Sequence, residues 1–212
     1  MIEDKIKQET KDWTGNKTTT YAILGASNHS EKEREKNDFY ATDPESLEIF
    51  LEALKRDNIE LHHDIWECAC GKGHLSEVLL KKGYGVISTD LIDRGYGQTG
   101  EKYDFLKINI SDNKTDILTN PPYKYAKEFV EHSLEILQEG YYSIMFLKIQ
   151  FLEGKERRKL FDKYPPKYIY VNSSRQLCLL NGDDTNKISS AVCYCWFIWE
   201  KGYKGDPIVR WI

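Results

Sequence analysis

Ile65-Trp66-Glu67-Cys68-Ala69-Cys70-Gly71-Lys72-Gly73 is the stretch that decides the fold. Its first four residues read as a buried strand and Gly71-Lys72-Gly73 as a turn. Leu75, Val78 and Leu79 then recur at helical spacing up to a stop at Gly83. Glycines at such a strand-to-helix turn let the backbone come close to a ligand, and the helix amino terminus offers unpaired N–H groups. Val86-Ile87-Ser88-Thr89 forms the second strand and ends at Asp90, 17 residues beyond Gly73. A carboxylate there can accept hydrogen bonds from the two hydroxyls of a ribose. A lone Gly-x-Gly is equally the mark of an ordinary turn; the acid at the second strand end adds a nucleoside to the reading. Ser76 stands where the third glycine of a dinucleotide fingerprint would fall, and no Gly-x-x-x-x-Gly-Lys-Ser/Thr phosphate loop is present. That leaves a nucleoside without a pyrophosphate.

The pattern continues on both sides. Upstream, Asp43 can cap a helix that opens at Pro44 and buries Leu47, Phe50, Leu51 and Leu54. Downstream, Asp116–Thr119 is a short strand closed by Asn120-Pro121-Pro122, because proline cannot donate to a ladder. A helix burying Ala126, Phe129, Val130, Leu134 and Leu137 follows and ends at Gly140. Tyr141–Leu147 is almost uniformly apolar, as in a central strand covered on both faces. A basic helix at about 153–163, a strand at Tyr168–Val171, a polar loop at about 172–190 and a strand at Val192–Trp199 complete the alternation. The fold class is therefore α/β: a mostly parallel sheet with helices on both faces. Gly202-Tyr203-Lys204-Gly205, set between Cys193–Trp199 and Ile208–Ile212, predicts an antiparallel C-terminal hairpin at a sheet edge.

With 212 residues and 40% hydrophobic content, the chain has room for one good-sized core. Residues 1–38 are polar and charge-mixed, with Trp13, Tyr21, Ile23 and Leu24 as apolar anchors, and read as an extension to a single domain over 39–212. No apolar run approaches the roughly 18 residues of a membrane span, and Met1-Ile2-Glu3-Asp4-Lys5 is charged where a secretory signal is apolar. The expectation is a soluble, cytoplasmic protein without a membrane partner. The net charge of −4 argues against gripping nucleic acid over the whole surface, but residues 1–63 alone carry −5 and the stretch 140–175 carries +5. That stretch is as well explained by a solvated helix face as by contacts to phosphate. Five cysteines in two C-x-C pairs and a single lack zinc spacing, so they read as reduced thiols and no metal is expected. His62, His63, His74 and His132 are dispersed and read as surface or packing residues; His29 has no inferred partner.

Asn120-Pro121-Pro122-Tyr123 carries the most specific chemistry, although Asn-Pro-Pro could also be a stiff strand end. It suits methylation of an exocyclic amine, whose lone pair is delocalised into its ring. An Asn side-chain oxygen and the following proline carbonyl can accept the two N–H bonds and aim the lone pair at a methyl donor. The prolines keep that carbonyl rigid, and Tyr123 can stack on a base that has left its helix.

The succession Phe39-Tyr40-Ala41-Thr42-Asp43-Pro44, Glu67–Gly73, Asp90, Asp104-Phe105 and Asn120–Tyr123 resembles the phage-type DNA N6-adenine methyltransferases, over about residues 20–212 and with the cofactor half first. The resemblance implies a Rossmann-like, seven-stranded S-adenosylmethionine-dependent methyltransferase fold, with S-adenosyl-L-methionine as cofactor and DNA as partner. It places Tyr40 and Thr42 at the methionine end of the cofactor, and Glu67, Cys68, Ala69, Gly71 and Gly73 around its amino-acid portion. Asp90 falls at the ribose with Leu91 beside it, Asp104 at the adenine amino group with Phe105 beside the ring, and Asn120 at the meeting of cofactor and substrate. Asn120, Pro121, Pro122 and Tyr123 become the catalytic motif. Tyr123 and Phe197 would then contact the flipped base, although a buried strand explains Trp196–Trp199 equally well. Lys155, Arg157, Arg158, Lys159 and Arg175 would meet the DNA backbone. The implied setting is the cytoplasm of a bacterial cell or phage-infected host, with or without restriction–modification, and the sequence leaves monomer or homodimer open. No separate target-recognition domain is expected, since 13 residues follow Trp199. RNA adenine or a protein glutamine amide are alternative substrates of the same chemistry, and a catalytically inactive cofactor-binding subunit is an alternative of another class.

Overall fold

A computed structural model describes residues 40–174, 178–180 and 192–212. The expected extension over 1–38, Arg175 and most of the polar loop lie outside the described residues. In chain order the elements are β1 (Tyr40–Thr42), α1 (Pro44–Arg56), β2 (Asp64–Glu67), α2 (His74–Lys81), β3 (Gly85–Asp90), β4 (Gln98–Thr99), β5 (Asp116–Thr119), α3 (Ala126–Ile136), β6 (Tyr142–Lys148), α4 (Lys155–Lys163), β7 (Tyr168–Val171), β8 (Cys178–Leu180), β9 (Tyr194–Glu200) and β10 (Ile208–Trp211).

Local chemistry sets the helix starts. The Asp43 side chain accepts the Glu45 N–H at 3.0 Å, and Pro44 occupies the first turn of α1, where its missing donor costs nothing. α2 springs from Gly73, whose φ of +82° is a left-handed conformation that suits glycine. Leu47, Phe50, Leu51 and Leu54 of α1 and Leu75, Val78 and Leu79 of α2 are all buried, as their spacing predicts. α4 buries Leu160 and leaves its charged side to solvent.

Eight strands form one sheet in the order β10-β7-β9-β6-β5-β2-β3-β4, and β1 pairs antiparallel with β8 in a separate ribbon. Neighbouring pairs of the large sheet are parallel except where β9 inserts between β6 and β7 and runs antiparallel to both. The count is eight rather than the expected seven. β10 returns antiparallel to β9 as expected, but it lies one place further out, pairing in parallel with β7 from Ile208↔Tyr168 to Trp211↔Val171. The two C-terminal strands are thus separated by β7, and the edge they were expected to form as a hairpin is a parallel one. Burial explains the arrangement: Ile169 and Tyr170 are buried and need neighbours on both sides, whereas Ile208, Val209 and Trp211 of β10 are exposed, as an edge tolerates.

Alternation along the strands divides the core. Ile65, Leu118, Ile144, Phe146, Tyr170 and Trp196 face α1 and α2. Trp66, Ile117, Met145, Leu147, Ile169 and Phe197 face α3 and α4. At the amino end of β5, buried Asp116 accepts the backbone N–H groups of His62 and Tyr142, each at 2.8 Å, and lies 2.9 Å from the His62 ring. His62 is therefore a packing residue. No helix among the described residues is long and apolar enough to cross a membrane.

Candidate active site

β5, β2 and β3 are adjacent and parallel, so their carboxyl ends open on one side of the sheet. That is where an open α/β sheet builds its ligand crevice. Glu67 closes β2, Asp90 closes β3 and Asn120 follows β5.

The turn after β2 needs its glycines, because Gly71 and Gly73 hold φ of +56° and +82°. Asp90 ties this turn to its own strand end. Its Oδ2 accepts the Gly71 N–H at 2.8 Å, while Oδ1 accepts the Ile92 N–H at 2.7 Å and an Arg94 N–H at 3.2 Å. Each carboxylate oxygen has two lone-pair directions, so Asp90 retains acceptor capacity for one hydroxyl, at Oδ2. The Tyr96 ring covers Gly73 so closely that a Cβ there would fall 2.5 Å from it, and the Tyr96 hydroxyl donates to Glu77 at 2.9 Å.

Glu67 is fully enclosed. The Ser76 hydroxyl donates to its carboxyl and lies 2.6 Å from the Ser88 hydroxyl. Burial pushes the Glu67 pKa up to about 8, against the lowering effect of the Ser76 hydrogen bond, and the negative charge of Asp90 adds to the rise. Cys68, buried beside it, has its thiol pushed up for the same reason, while Ala69 is half-buried.

Asn120 and Thr42 meet across 78 residues of sequence: the Asn120 side-chain N–H donates to the Thr42 hydroxyl at 2.9 Å. Pro121 is buried and Pro122 half-buried, and the Pro122 carbonyl accepts the Tyr125 N–H at 2.8 Å, closing a 3-10 turn over Tyr123–Tyr125. The Tyr123 ring has the Lys148 ammonium 4.8 Å from its centroid and the Tyr194 ring 6.1 Å away.

The structure thus brings Thr42, Glu67, Gly71, Gly73, Asp90, Asn120 and Tyr123 to one side of the sheet. It divides the rest. Leu91 is exposed next to Asp90, and Asp104 pairs with Lys107 at 2.9 Å between two 3-10 turns. Phe105 is a core residue, packed edge-on to Trp66 at 5.3 Å and against Phe129 and His132. Phe197 has no exposed surface and lies in mid-β9 against Trp199 and Phe151, so the buried-strand reading holds for it and the role of base contact does not. On α4, Arg158 and Lys159 pair with Asp162 and Glu156, and an Arg157 N–H donates to the Gln150 carbonyl at 2.7 Å. Lys155 heads the same helix. Tyr40 is described for its backbone alone, in β1. Among the described residues no cluster of His, Cys, Asp or Glu could hold a metal ion.

Ser76, Arg94, Tyr96, Lys148 and Tyr194 join the site without having been singled out. Ser76 had a signal, as the residue in place of the third glycine. The others are brought in by folding of the loop after β3 and by strand pairing, which local patterns do not encode.

No family model and no curated protein matches the sequence. Solved structures do match. A candidate class I S-adenosylmethionine-dependent methyltransferase of Listeria monocytogenes aligns over 92% of this chain and 71% of its own, at 12% identity and a TM-score of 0.57. A candidate RNA methyltransferase of Pyrococcus horikoshii aligns over 88% and 98%, at 15% identity and 0.55. The chain has the Rossmann-like methyltransferase fold. A modification subunit of a candidate type I restriction enzyme from Vibrio vulnificus shares that fold over 92% of this chain and half of its own, at 10% identity and 0.56.

Proposed function

We propose that the protein transfers a methyl group from S-adenosyl-L-methionine to the exocyclic N6 amine of adenine in DNA, with residues 39–212 as the catalytic domain. The observation that carries the reading is the placement of Asn120-Pro121-Pro122-Tyr123 at the end of β5, beside the β2 turn and hydrogen-bonded to Thr42.

The donor set fits the cofactor. Two carboxyl groups, Glu67 and Asp90, flank a glycine turn, and a ligand with an ammonium group and ribose hydroxyls meets both needs. When bound, the cofactor supplies a methyl group activated on a sulfonium. Asp90 keeps the turn in shape through the Gly71 N–H and offers the remaining lone pair of Oδ2 to a ribose hydroxyl. Glu67, protonated in the empty protein, becomes an acceptor for an ammonium once it ionises. Thr42 holds the Asn120 amide nitrogen, and the amide oxygen is the group that would accept an N–H of the substrate amine. The Pro121 carbonyl accepts the second N–H, and the amine lone pair is directed out of the ring plane. Tyr123 stacks on the flipped base. The amine loses its proton after the methyl bond forms, so no residue needs to act as a strong base.

DNA approaches from the same side of the sheet. Arg158 and Lys159 of α4 are engaged in surface ion pairs worth little, which phosphates can displace. Names among the structural neighbours include both a restriction-enzyme modification subunit and an RNA methyltransferase, so the test carries both nucleic acids. Purified protein is incubated with methyl-labelled cofactor and double-stranded DNA, single-stranded DNA, RNA or protein, and DNA co-expressed with it is sequenced for modified adenine. Label in DNA as N6-methyladenine is the expected result; label confined to RNA or protein overturns the assignment.

A further inference from the structure

One rung of the sheet presents two side chains to the Tyr123 ring. Lys148, the last residue of β6, is paired in register with Tyr194, the first residue of β9, and both reach the Tyr123 ring from there. Tyr194 is itself fixed: it is buried and stacks on Phe146 at 5.2 Å, with 13° between the rings. Lys148 is half-buried, and its ammonium lies 4.8 Å from the ring centroid, within cation–π range. It ends a strand whose preceding five residues are all buried, three residues beyond the Thr119↔Met145 pair that precedes Asn120.

We propose that Lys148 is a positioning residue for base capture, acting by holding the Tyr123 ring in the orientation in which an extruded adenine stacks on it. A phenol at the start of a short turn has two side-chain torsions to be set. Fixing them before the base arrives removes an ordering cost that would otherwise be met at binding. The ammonium also draws electron density toward its side of the ring, which makes the opposite face a better platform for an electron-rich purine. The inference rests on the DNA-adenine reading.

The test uses the full chain and a duplex carrying an adenine mapped as methylated, with 2-aminopurine replacing that adenine in a parallel set. Lys148→Met is expected to raise KM for DNA and to weaken the 2-aminopurine fluorescence titration by about 5- to 30-fold. The single-turnover rate at saturating DNA and the cofactor affinity stay within about twofold. Lys148→Arg, which keeps the cation, restores most of the KM. In a Tyr123→Leu background, Lys148→Met has no further effect, because the ring it holds is gone. Wild-type KM in Lys148→Met, or an equal loss with and without the Tyr123 ring, overturns the role of Lys148 and leaves the DNA reading intact. Failure of the wild-type protein to methylate any DNA adenine overturns both.

Discussion

Glu67→Gln separates the cost of the buried carboxyl from its use. In the folded protein Glu67 holds its proton up to about pH 8, whereas the unfolded chain releases it near 4.5. Across that window the native state binds more protons than the unfolded one, so stability is greatest at the acid end and falls as pH rises. A native pKa of about 8 against 4.5 makes this single group responsible for a loss of about 3 kcal/mol between about pH 5.5 and 8. Glutamine mimics the protonated form, keeps an acceptor for the Ser76 hydroxyl and does not titrate. Urea unfolding of wild type and Glu67→Gln without cofactor, at about pH 5.5 and about pH 8, gives the double difference in which all other titrating groups cancel. The variant should gain about 3 kcal/mol on the wild type over that interval, while its cofactor affinity at neutral pH falls. Parallel pH profiles for the two proteins would refute the burial argument, because they would mean that Glu67 is already ionised in the folded state. A variant that binds cofactor like the wild type would refute the pairing of Glu67 with an ammonium.

Three further substitutions probe the rest of the site. Asn120→Ala should abolish methyl transfer and leave cofactor affinity by calorimetry within about threefold, since what it removes is the acceptor for the substrate amine; equal loss of both would make Asn120 structural. Asp90→Ala should weaken cofactor binding first and also destabilise the protein by about 2–3 kcal/mol, because it removes the acceptor of the Gly71 and Ile92 N–H groups. Unchanged stability would show that the turn after β2 is held by other means. Phe197→Ala should cost about 3–5 kcal/mol in chemical denaturation as a cavity in the core, with KM for DNA unchanged under conditions where the variant is folded; a raised KM would return Phe197 to the base.

The elements legible in the sequence are those whose signal is local. The switch from a buried strand to a helical stripe around Gly71–Gly73, the Asp43-Pro44 start of α1 and the apolar run of β6 each follow from residues within a turn or two. The position of Asp90 follows from strand length alone. Lateral order is different. That β7 lies between β9 and β10 depends on which strand most needs two neighbours, a comparison between Ile169-Tyr170 and Val209-Trp211 that no single window contains. The same limit explains Phe105 and Phe197: both have the right chemistry to lie beside a ring, and both are turned inward by partners distant in sequence or set by folding, Phe105 by Trp66, Phe129 and His132 and Phe197 by Phe151 and Trp199. Lys148 was read only as part of a basic stretch, and its place over Tyr123 became visible with the β6–β9 register.

The insertion of β9 also dictates the order in which the molecule can be made. β6 is buried over five successive residues, and one of its edges is covered by β9, 46 residues further on at the Lys148↔Tyr194 rung. Until residues 194–200 have left the ribosome, a nascent chain that has already assembled β2, β3, β5 and β6 presents the open edge of Tyr142–Lys148 to whatever is near. Asn120–Tyr123 is synthesised early, but the Lys148↔Tyr194 rung beside Tyr123 closes only when β9 has emerged. The β6 edge is therefore exposed to strand-to-strand aggregation over the whole interval between its own synthesis and that of β9. Slowed translation between β7 and β9 would lengthen that interval, and a chaperone that shields sheet edges would act there.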